Sequence, residues 1–492
     1  MRWLENLIAA ISPQAAYKRA AFKAGLSWFR ESYDSADHGR LNNAWAVNNM
    51  SAQLTDTWAR DTVRARARDL ERNSDMMSAV ISAYNRNIVG KGFTLQARTS
   101  DTALNEQIES LWREWIKCKN CDITKTQNLN QILRMLERRK KIDGGILIHK
   151  CYIGGGLLPF KLQCLEVDEL ARDQIQPSQK GNIVIDGVEV DKNKTPVGYW
   201  IKQYSLDGWS EVDAKFIKAT DIIYKYTKTR PSQIREMSDM SPTITRVRDT
   251  QEFMTAVSVK QRIEACLSVF IKRAMPSGSL GRGSSAHDSR STYDGKMLTP
   301  GMISYIDVGD EVQVVNPSGQ ASDSSQFIKQ QQLLMAAGQG LSYEAVTRDM
   351  SQTNYSSARQ GLIEDDLTYA EDREHIEEIM DEIYETFIIS AVLTGKIVIR
   401  DFWQNKSMYF KHEWIQVPKR WIDPLKETTA AQIGLLTGQK TLKEVAAESG
   451  KDWKDHIDDM VDVINYGKEK GIDLGGVIYG QNYTSSEQRN EA

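Results

Sequence analysis

Three short spacings in this 492-residue chain have residue types suited to chemistry. Cys118-Lys-Asn-Cys121 has the spacing of a zinc half-site or a redox pair. A structural zinc needs four ligands, and the next cysteines, Cys151 and Cys164, fall in separate strand-like runs. These thiols therefore read as buried or spectator groups. Asp365-Asp366 could hold Mg²⁺ in a nuclease. They sit within Glu364, Glu371, Asp372, Glu374, Glu377, Glu378, Asp381, Glu382 and Glu385, so the expectation is a solvated acidic helix face. His412-Glu413 lacks a second histidine one helical turn on, so the zinc-protease pattern fails.

Other patterns fail in the same way. Gly434-Leu-Leu-Thr-Gly438-Gln-Lys440-Thr441 has the wrong spacing and order for a phosphate-binding loop. Gly278-Ser-Leu-Gly281-Arg-Gly283 follows no strand and reads as flexible chain rather than a dinucleotide fingerprint. The six histidines are scattered, with none in a triad context. The sequence thus offers no catalytic, cofactor-binding or metal-ligand set, and the expectation is that the chain is not an enzyme.

Charge narrows the partners. There are 63 basic and 66 acidic residues, a net of −3. Tight gripping of nucleic acid usually needs a basic excess, because phosphate neutralisation supplies the affinity. Loose contact remains compatible with this balance. Five cysteines in a long chain argue against a disulfide framework and for a reducing cytosol. Glu5 and Asn6 interrupt the N-terminal apolar patch, so it does not read as a signal peptide. The longest apolar run, Phe387 to Ile399, carries Lys396 and is too short to span a bilayer. The chain reads as soluble, with no membrane partner.

The elements that would position any site follow from periodicity. At about 150 residues per domain the length suggests about three units. A helical pattern runs from Thr57 to Arg86, stopping near Gly90-Lys-Gly92. Arg60, Arg64, Arg68 and Arg72 recur every fourth residue and share one stripe. The stripe could face phosphate, but Asp61, Asp69 and Glu71 favour a solvated face. Helices follow over Thr102–Lys117 and Leu129–Ile142, the second ending in Arg138, Arg139, Lys140 and Lys141, where cations suit the helix dipole. Short β-type runs then complete an α+β region over residues 57–230.

Ser241-Pro242 supplies a cap and a first-turn proline for a helix reaching Val269. Gly/Ser-rich chain extends to Gly295, strands lie within Met302–Val315, and a helix spans Ser324–Gln339. Gly338 to Tyr355 is irregular and reads as a mobile segment. A long helix then runs from Ser356 to Thr394. Its apolar stripe is Ile376, Ile379, Met380, Ile383, Tyr384, Phe387, Ile388, Ala391 and Val392. Strand-like pieces at Lys396–Arg400 and Met408–Phe410 precede a small helical segment from Pro424 to about Lys470.

Several stretches follow one another in a distinctive order. They are Ala65-Arg-Ala-Arg-Asp69-Leu-Glu-Arg-Asn73, Asn87-Ile-Val-Gly90-Lys-Gly92-Phe-Thr-Leu-Gln-Ala97-Arg, Leu111-Trp-Arg-Glu-Trp115 with Cys121-Asp122, and Leu162-Gln-Cys-Leu-Glu-Val-Asp168. Pro196-Val-Gly-Tyr-Trp200 and Lys260-Gln-Arg-Ile-Glu-Ala-Cys266 follow. The most specific is Gly340-Leu-Ser-Tyr-Glu-Ala-Val-Thr-Arg-Asp349-Met-Ser-Gln-Thr-Asn354-Tyr-Ser-Ser-Ala-Arg359, with Trp421-Ile-Asp-Pro424-Leu-Lys-Glu nearer the C-terminus. In this order the stretches resemble the lambda-like portal family of tailed bacteriophages; Lys140–Lys141 is more basic than that pattern, and Gly181–Val190 diverges from it.

The resemblance implies a mainly α, α+β portal fold assembling into a ring of about twelve copies around a channel. It implies an N-terminal arm (1–56), a wing (57–240), a stem helix (241–269), a clip (270–322) and a second stem helix (323–341). A tunnel loop (342–355), a long helix with the remaining wing (356–423), a crown (424–470) and a polar tail (471–492) follow. The implied role is a capsid-vertex channel for DNA packaging and ejection, located in the virion and assembled in the host cytoplasm. The implied partners are double-stranded DNA, bound non-specifically, the terminase large subunit, a head-tail adaptor, and major capsid and scaffold proteins. Ser342, Arg348, Asp349, Met350, Ser351 and Asn354 would face DNA, and Arg282 and Lys296 would dock the motor. The rival expectations are a metal-dependent nuclease using carboxylates of residues 364–385, and another ring-forming capsid or tail component.

Overall fold

The computed structural model describes residues 12–19, 21, 49–202, 213–266, 270–272, 304–306, 321–416 and 423–471. The chain divides into two units, Met1–Thr55 and Asp56–Ala492. In the first, residues 13–19 and a turn beginning at Ala52 are helical.

The second unit opens with α1 (Arg60–Asn73) and α2 (Asp75–Ile88). The sequence reads as one helix here, but Ser74 is extended and its side chain accepts from the Met77 N–H, so a new helix starts there. Then come β1 (Thr94–Ala97), α3 (Thr102–Trp115) and α4 (Leu129–Asp143). Asn128 and Gln131 form a capping box at the start of α4, and Gly144 closes it in the left-handed region. A Cβ at Gly144 would lie 2.3 Å from the Met237 backbone, so no other residue fits.

Strands β2 (Gly145–Tyr152), β3 (Phe160–Leu165) and β8 (Ile222–Tyr226) form an antiparallel sheet in the order β3-β2-β8. Between β3 and β8, a second antiparallel sheet runs β4 (Ile183–Ile185), β5 (Val188–Val190), β6 (Pro196–Ile201) and β7 (Lys215–Lys218). Alternation on β2 sends its residues to two cores. Ile146 and Ile148 join the helical core, while Leu147 joins Val188, Val190, Tyr199 and Ile201 against the second sheet.

Helix α5 (Ile244–Cys266) follows, then β9 (Phe270–Lys272) and β10 (Ser304–Ile306), paired in parallel, and α6 (Ala321–Gly338). A short α7 (Tyr343–Thr347) precedes the 39-residue α8 (Tyr355–Leu393). Strand β11 (His412–Ile415) pairs with β1, and α9 (Pro424–Thr437), α10 (Leu442–Glu448) and α11 (Trp453–Glu469) complete the described chain. Residues 396–400 are irregular and Lys406–Tyr409 form a single helical turn, so neither strand-like piece is a strand. Their apolar residues are spaced like a strand, but Ile397 and Phe402 instead anchor irregular chain in the helical core.

The apolar stripe of α8 is buried as its period requires: Ile376, Ile379, Ile383, Tyr384, Phe387, Ile388 and Ala391 are at most 1% exposed. Aromatic rings fill the space between α3, α8 and the sheet. Trp115 stacks on Phe160 at 5.2 Å, and Trp112 meets Phe387 edge-on at 5.1 Å.

The arginine stripe on α1 is solvated only at Arg72. Arg60 and Arg64 are buried, and Arg68 is mostly so. Arg60 pairs with Asp186 at 2.8 Å and Arg64 with Glu236 at 3.2 Å. Arg68 holds Asp143 at 2.7 Å and Asp168 at 3.0 Å. Burial would raise the Glu236 carboxyl, but Arg235 and Arg60 hold it below its usual range. The stripe bolts α1 to the loops and strands beside it.

The acidic reading of α8 also needs correction at two positions. Asp365 and Asp372 are buried. Asp372 lies 2.6 Å from the ammonium groups of both Lys140 and Lys141, and Asp239 lies 3.2 and 3.4 Å from the same two. Lys141 also sits 4.0 Å above the Tyr84 ring. Burial disfavours the Lys141 charge, yet Asp239 and Asp372 more than compensate and raise its pKa.

Glu137, one turn before Lys141, is fully buried, with neither carboxylate oxygen hydrogen-bonded among the described residues. Burial, then Asp372, pushes its pKa up to about 7, against the pull of Lys141 and Lys140. The folded chain thus holds a proton there that the unfolded chain releases near 4.5. Stability should fall as pH rises from about 4.5 to about 7, by up to roughly 1.4 kcal/mol per unit, and level off above. Thermal melts across pH 5 to 8 should lose that slope in Glu137→Gln, and identical slopes in both proteins would contradict it.

Candidate functional site

The segment that the sequence reading assigned to DNA contact is residues 342–355, and its position depends on α5 and α6. These two helices run antiparallel. Gln339 reaches Thr243 at 3.0 Å, Arg246 reaches Gln331 at 2.8 Å, and Phe253 meets Phe327 at 4.8 Å. Beyond Thr250, the described side chains of α5 are half-buried or exposed, with none buried. The pair therefore leaves the core as a hairpin held chiefly by its own contacts.

At the base of α6 the chain turns sharply. The Tyr84 hydroxyl donates to the Gln339 carbonyl, and the Leu341 N–H returns to the Ala336 carbonyl. Gly340 takes a positive φ of 67°, and its carbonyl accepts from Thr368 on α8 at 2.6 Å. Ser342 then serves both directions. Its N–H and hydroxyl donate to Asp365 at 2.6 and 2.7 Å, and the hydroxyl oxygen accepts from the Ala345 N–H to cap α7. Burial raises the Asp365 carboxyl despite these bonds.

The segment read as irregular and mobile is therefore ordered at both ends. Sequence reasoning missed α7, although Ser342 followed by Glu344 is a helix-start signal. Arg348 ends α7 in the left-handed region at φ 60°, its N–H bonded to the Glu344 carbonyl. Asp349 accepts from the Ser351 N–H at 3.0 Å, and hydrogen bonds from Ser351 lower its pKa. Asn354 and Ser357 form the capping box that starts α8.

Between these anchors, Arg348, Asp349, Met350, Ser351 and Gln352 are all exposed. The structure thus brings together Arg348, Asp349, Met350 and Ser351, while Ser342 and Asn354 act as helix caps on either side. Arg348 makes no ion pair among the described residues, so neither Asp349 nor Glu344 neutralises it directly. One guanidinium beside one carboxylate can touch a polyanion without holding it strongly. Arg282 and Lys296 lie outside the described residues.

The other sequence candidates resolve into structure. Cys118–Cys121 forms one helical turn, where burial pushes the Cys121 thiol up to about 12, away from a metal-binding thiolate. The Asp365-Asp366 pair is divided, since Asp365 is engaged by Ser342 and Asp366 pairs with Arg373. His412 and Trp414 both donate to Asp381, at 2.9 and 2.7 Å. Among the described residues no group of three or more His, Cys, Asp or Glu side chains could hold a metal, and no helix is long and apolar enough to cross a membrane.

Residues 38–373 match the family model for phage portal protein, lambda family, and the chain belongs to that family. It is 22% identical to the probable portal protein of Halomonas phage phiHAP-1 over 455 residues, covering 89% of this chain and 87% of that protein. It is 19% identical to portal protein B of Escherichia phage lambda and 20% identical to the portal protein of Escherichia phage N15, each over 80% of this chain and 81% of the relative. A chain from the neck of a native GTA particle computed with C12 symmetry aligns with TM-score 0.39 and 13% identity, covering 78% of this chain and 96% of that one. One from the neck of an empty GTA particle computed with C6 symmetry aligns with TM-score 0.39 and 15% identity, over 80% and 94%.

Asp365→Ala would leave both Ser342 donors without their acceptor. The expected local loss is roughly 1–3 kcal/mol. Trypsin should then cleave after Arg348 about tenfold faster than in the parent chain, as local opening becomes easier. An unchanged cleavage rate would mean that Asp365 does not hold the segment.

Proposed function

We propose that copies of this chain close into a ring of about twelve, whose channel passes double-stranded DNA during packaging and ejection. The observation that carries this reading is the α5/α6 hairpin. It leaves the core with Phe327, Leu333 and Leu334 at 42%, 49% and 43% exposure, and α5 adds Val259 at 42%. Apolar residues grouped on a projecting helix pair need cover from another surface. Neighbouring copies in a ring supply it without a further core in each chain.

In this reading residues 57–240 form the wing, α5 and α6 the stem, 270–322 the clip, 342–355 the tunnel loop, α8 the long wing helix and 424–470 the crown. The chain sits at the capsid vertex of the virion and assembles in the host cytoplasm. The exposed turn at Arg348–Gln352 faces DNA, with Arg348 touching phosphate. The clip, with Arg282 and Lys296, docks the terminase large subunit and later the head-tail adaptor, while capsid and scaffold proteins surround the ring. The role is structural, with no bond made or broken by this chain. Near-neutral charge suits it, because each phosphate contact releases about one counterion, and a strongly basic wall would stall the passage of DNA.

Purified chain imaged by negative-stain microscopy, with mass from light scattering, should give rings with a central hole. A monomer persisting at micromolar concentration across all salt conditions would overturn the proposal.

A further inference from the structure

Two helix faces in the second unit lack cover among the described residues. On α8, the buried side of the first half carries Asp365, Tyr369, Asp372 and Ile376. At about 100° per residue, Ile363, Leu367, Glu371 and Glu374 lie opposite. Ile363 and Leu367 are 49% and 62% exposed. Glu364, Glu371 and Glu374 are exposed and make no ion pair among the described residues.

On α6, Phe327 and Gln331 turn toward α5, while Met335 and Ala336 enter the core. The opposite side presents Lys329, Leu333 and Ala337, all exposed. Lys329 lies 5.4 Å from the Tyr343 ring and has no ion pair among the described residues.

Each face therefore combines exposed apolar residues with exposed charge that makes no ion pair among the described residues, and the charges are opposite. A ring closed by head-to-tail contacts needs two different, matching faces on every copy. We propose that the Leu333–Ala337 face of α6 in one copy seats on the Ile363–Leu367 ridge of α8 in the next, with Lys329 against the Glu364 and Glu371 carboxylates. Those two carboxylates lie one turn before and one turn after Leu367, so Lys329 meets an acid whichever way the helices run. The proposal rests on the ring reading above and names the surfaces that close it.

Charge reversal tests the pairing. Lys329→Glu alone, and Glu364→Lys with Glu371→Lys, should each lower the fraction of chain found in rings about tenfold at low salt, because like charges then face each other. Combining all three should restore most of it. A second measurement avoids new charges: chains carrying Leu333→Cys mixed with chains carrying Leu367→Cys should give disulfide-linked dimers on mild oxidation, absent from either alone and from the parent. Normal rings in every reversal variant, with no linked dimers, would overturn the interface while leaving the ring intact. Normal rings that fail to enter capsids would assign the face to another virion protein, and also overturn it. Absence of rings from the parent chain would instead remove the ring reading itself.

Discussion

The buried pairing of Lys140 and Lys141 with Asp239 and Asp372 joins what the rest of the second unit must keep together. Lys140 and Lys141 come from α4, Asp239 lies in the turn leading into α5, and Asp372 lies on α8. Such a cluster adds little net stability over an apolar core, because desolvation offsets much of the attraction. Its strength is in position: removing any one partner strands a charge, so the helices hold one arrangement. Tyr84, under Lys141, extends the joint to the end of α6 through the Gln339 carbonyl.

From that joint the structure separates a rigid half from a presenting half. The aromatic core of α3 and α8 with the β3-β2-β8 sheet, and the arginine pairs of α1, fix the rigid half. The α5/α6 hairpin, the turn at Arg348–Gln352 and the first turns of α8 leave it with large apolar side chains exposed. Ser342 and Asp365 mark the boundary, since they lock the base of the turn while its tip stays in solvent. A lambda-family portal chain built this way holds its own shape at the joint and offers its remaining surface for assembly.

The sequence carried the large elements and the family, but not the charge partners. The α8 stripe from Ile376 to Ala391 was readable because its period repeats over many residues. The family emerged from ordered local stretches. The Arg60, Arg64 and Arg68 stripe looked solvated because its local acids, Asp61 and Asp69, were the visible ones. Asp61 does pair with Arg64, but the partners that bury the stripe, Asp186, Glu236 and Asp143, lie between 75 and 172 positions away. Lys140 and Lys141 were likewise explained by a helix dipole, and their distance in sequence from Asp239 and Asp372 hid the joint. At 338–355, glycine, serine, threonine and asparagine suggested looseness, whereas Ser342 and Asn354 are caps whose bonds order the backbone.

The joint is most directly tested by hydrogen exchange on Asp372→Asn. If the buried charges couple the three elements, amide protection should drop together in α4, in the start of α5 and in α8 around residues 365–376. A loss confined to α8, with α4 and α5 exchanging as in the parent chain, would contradict the account.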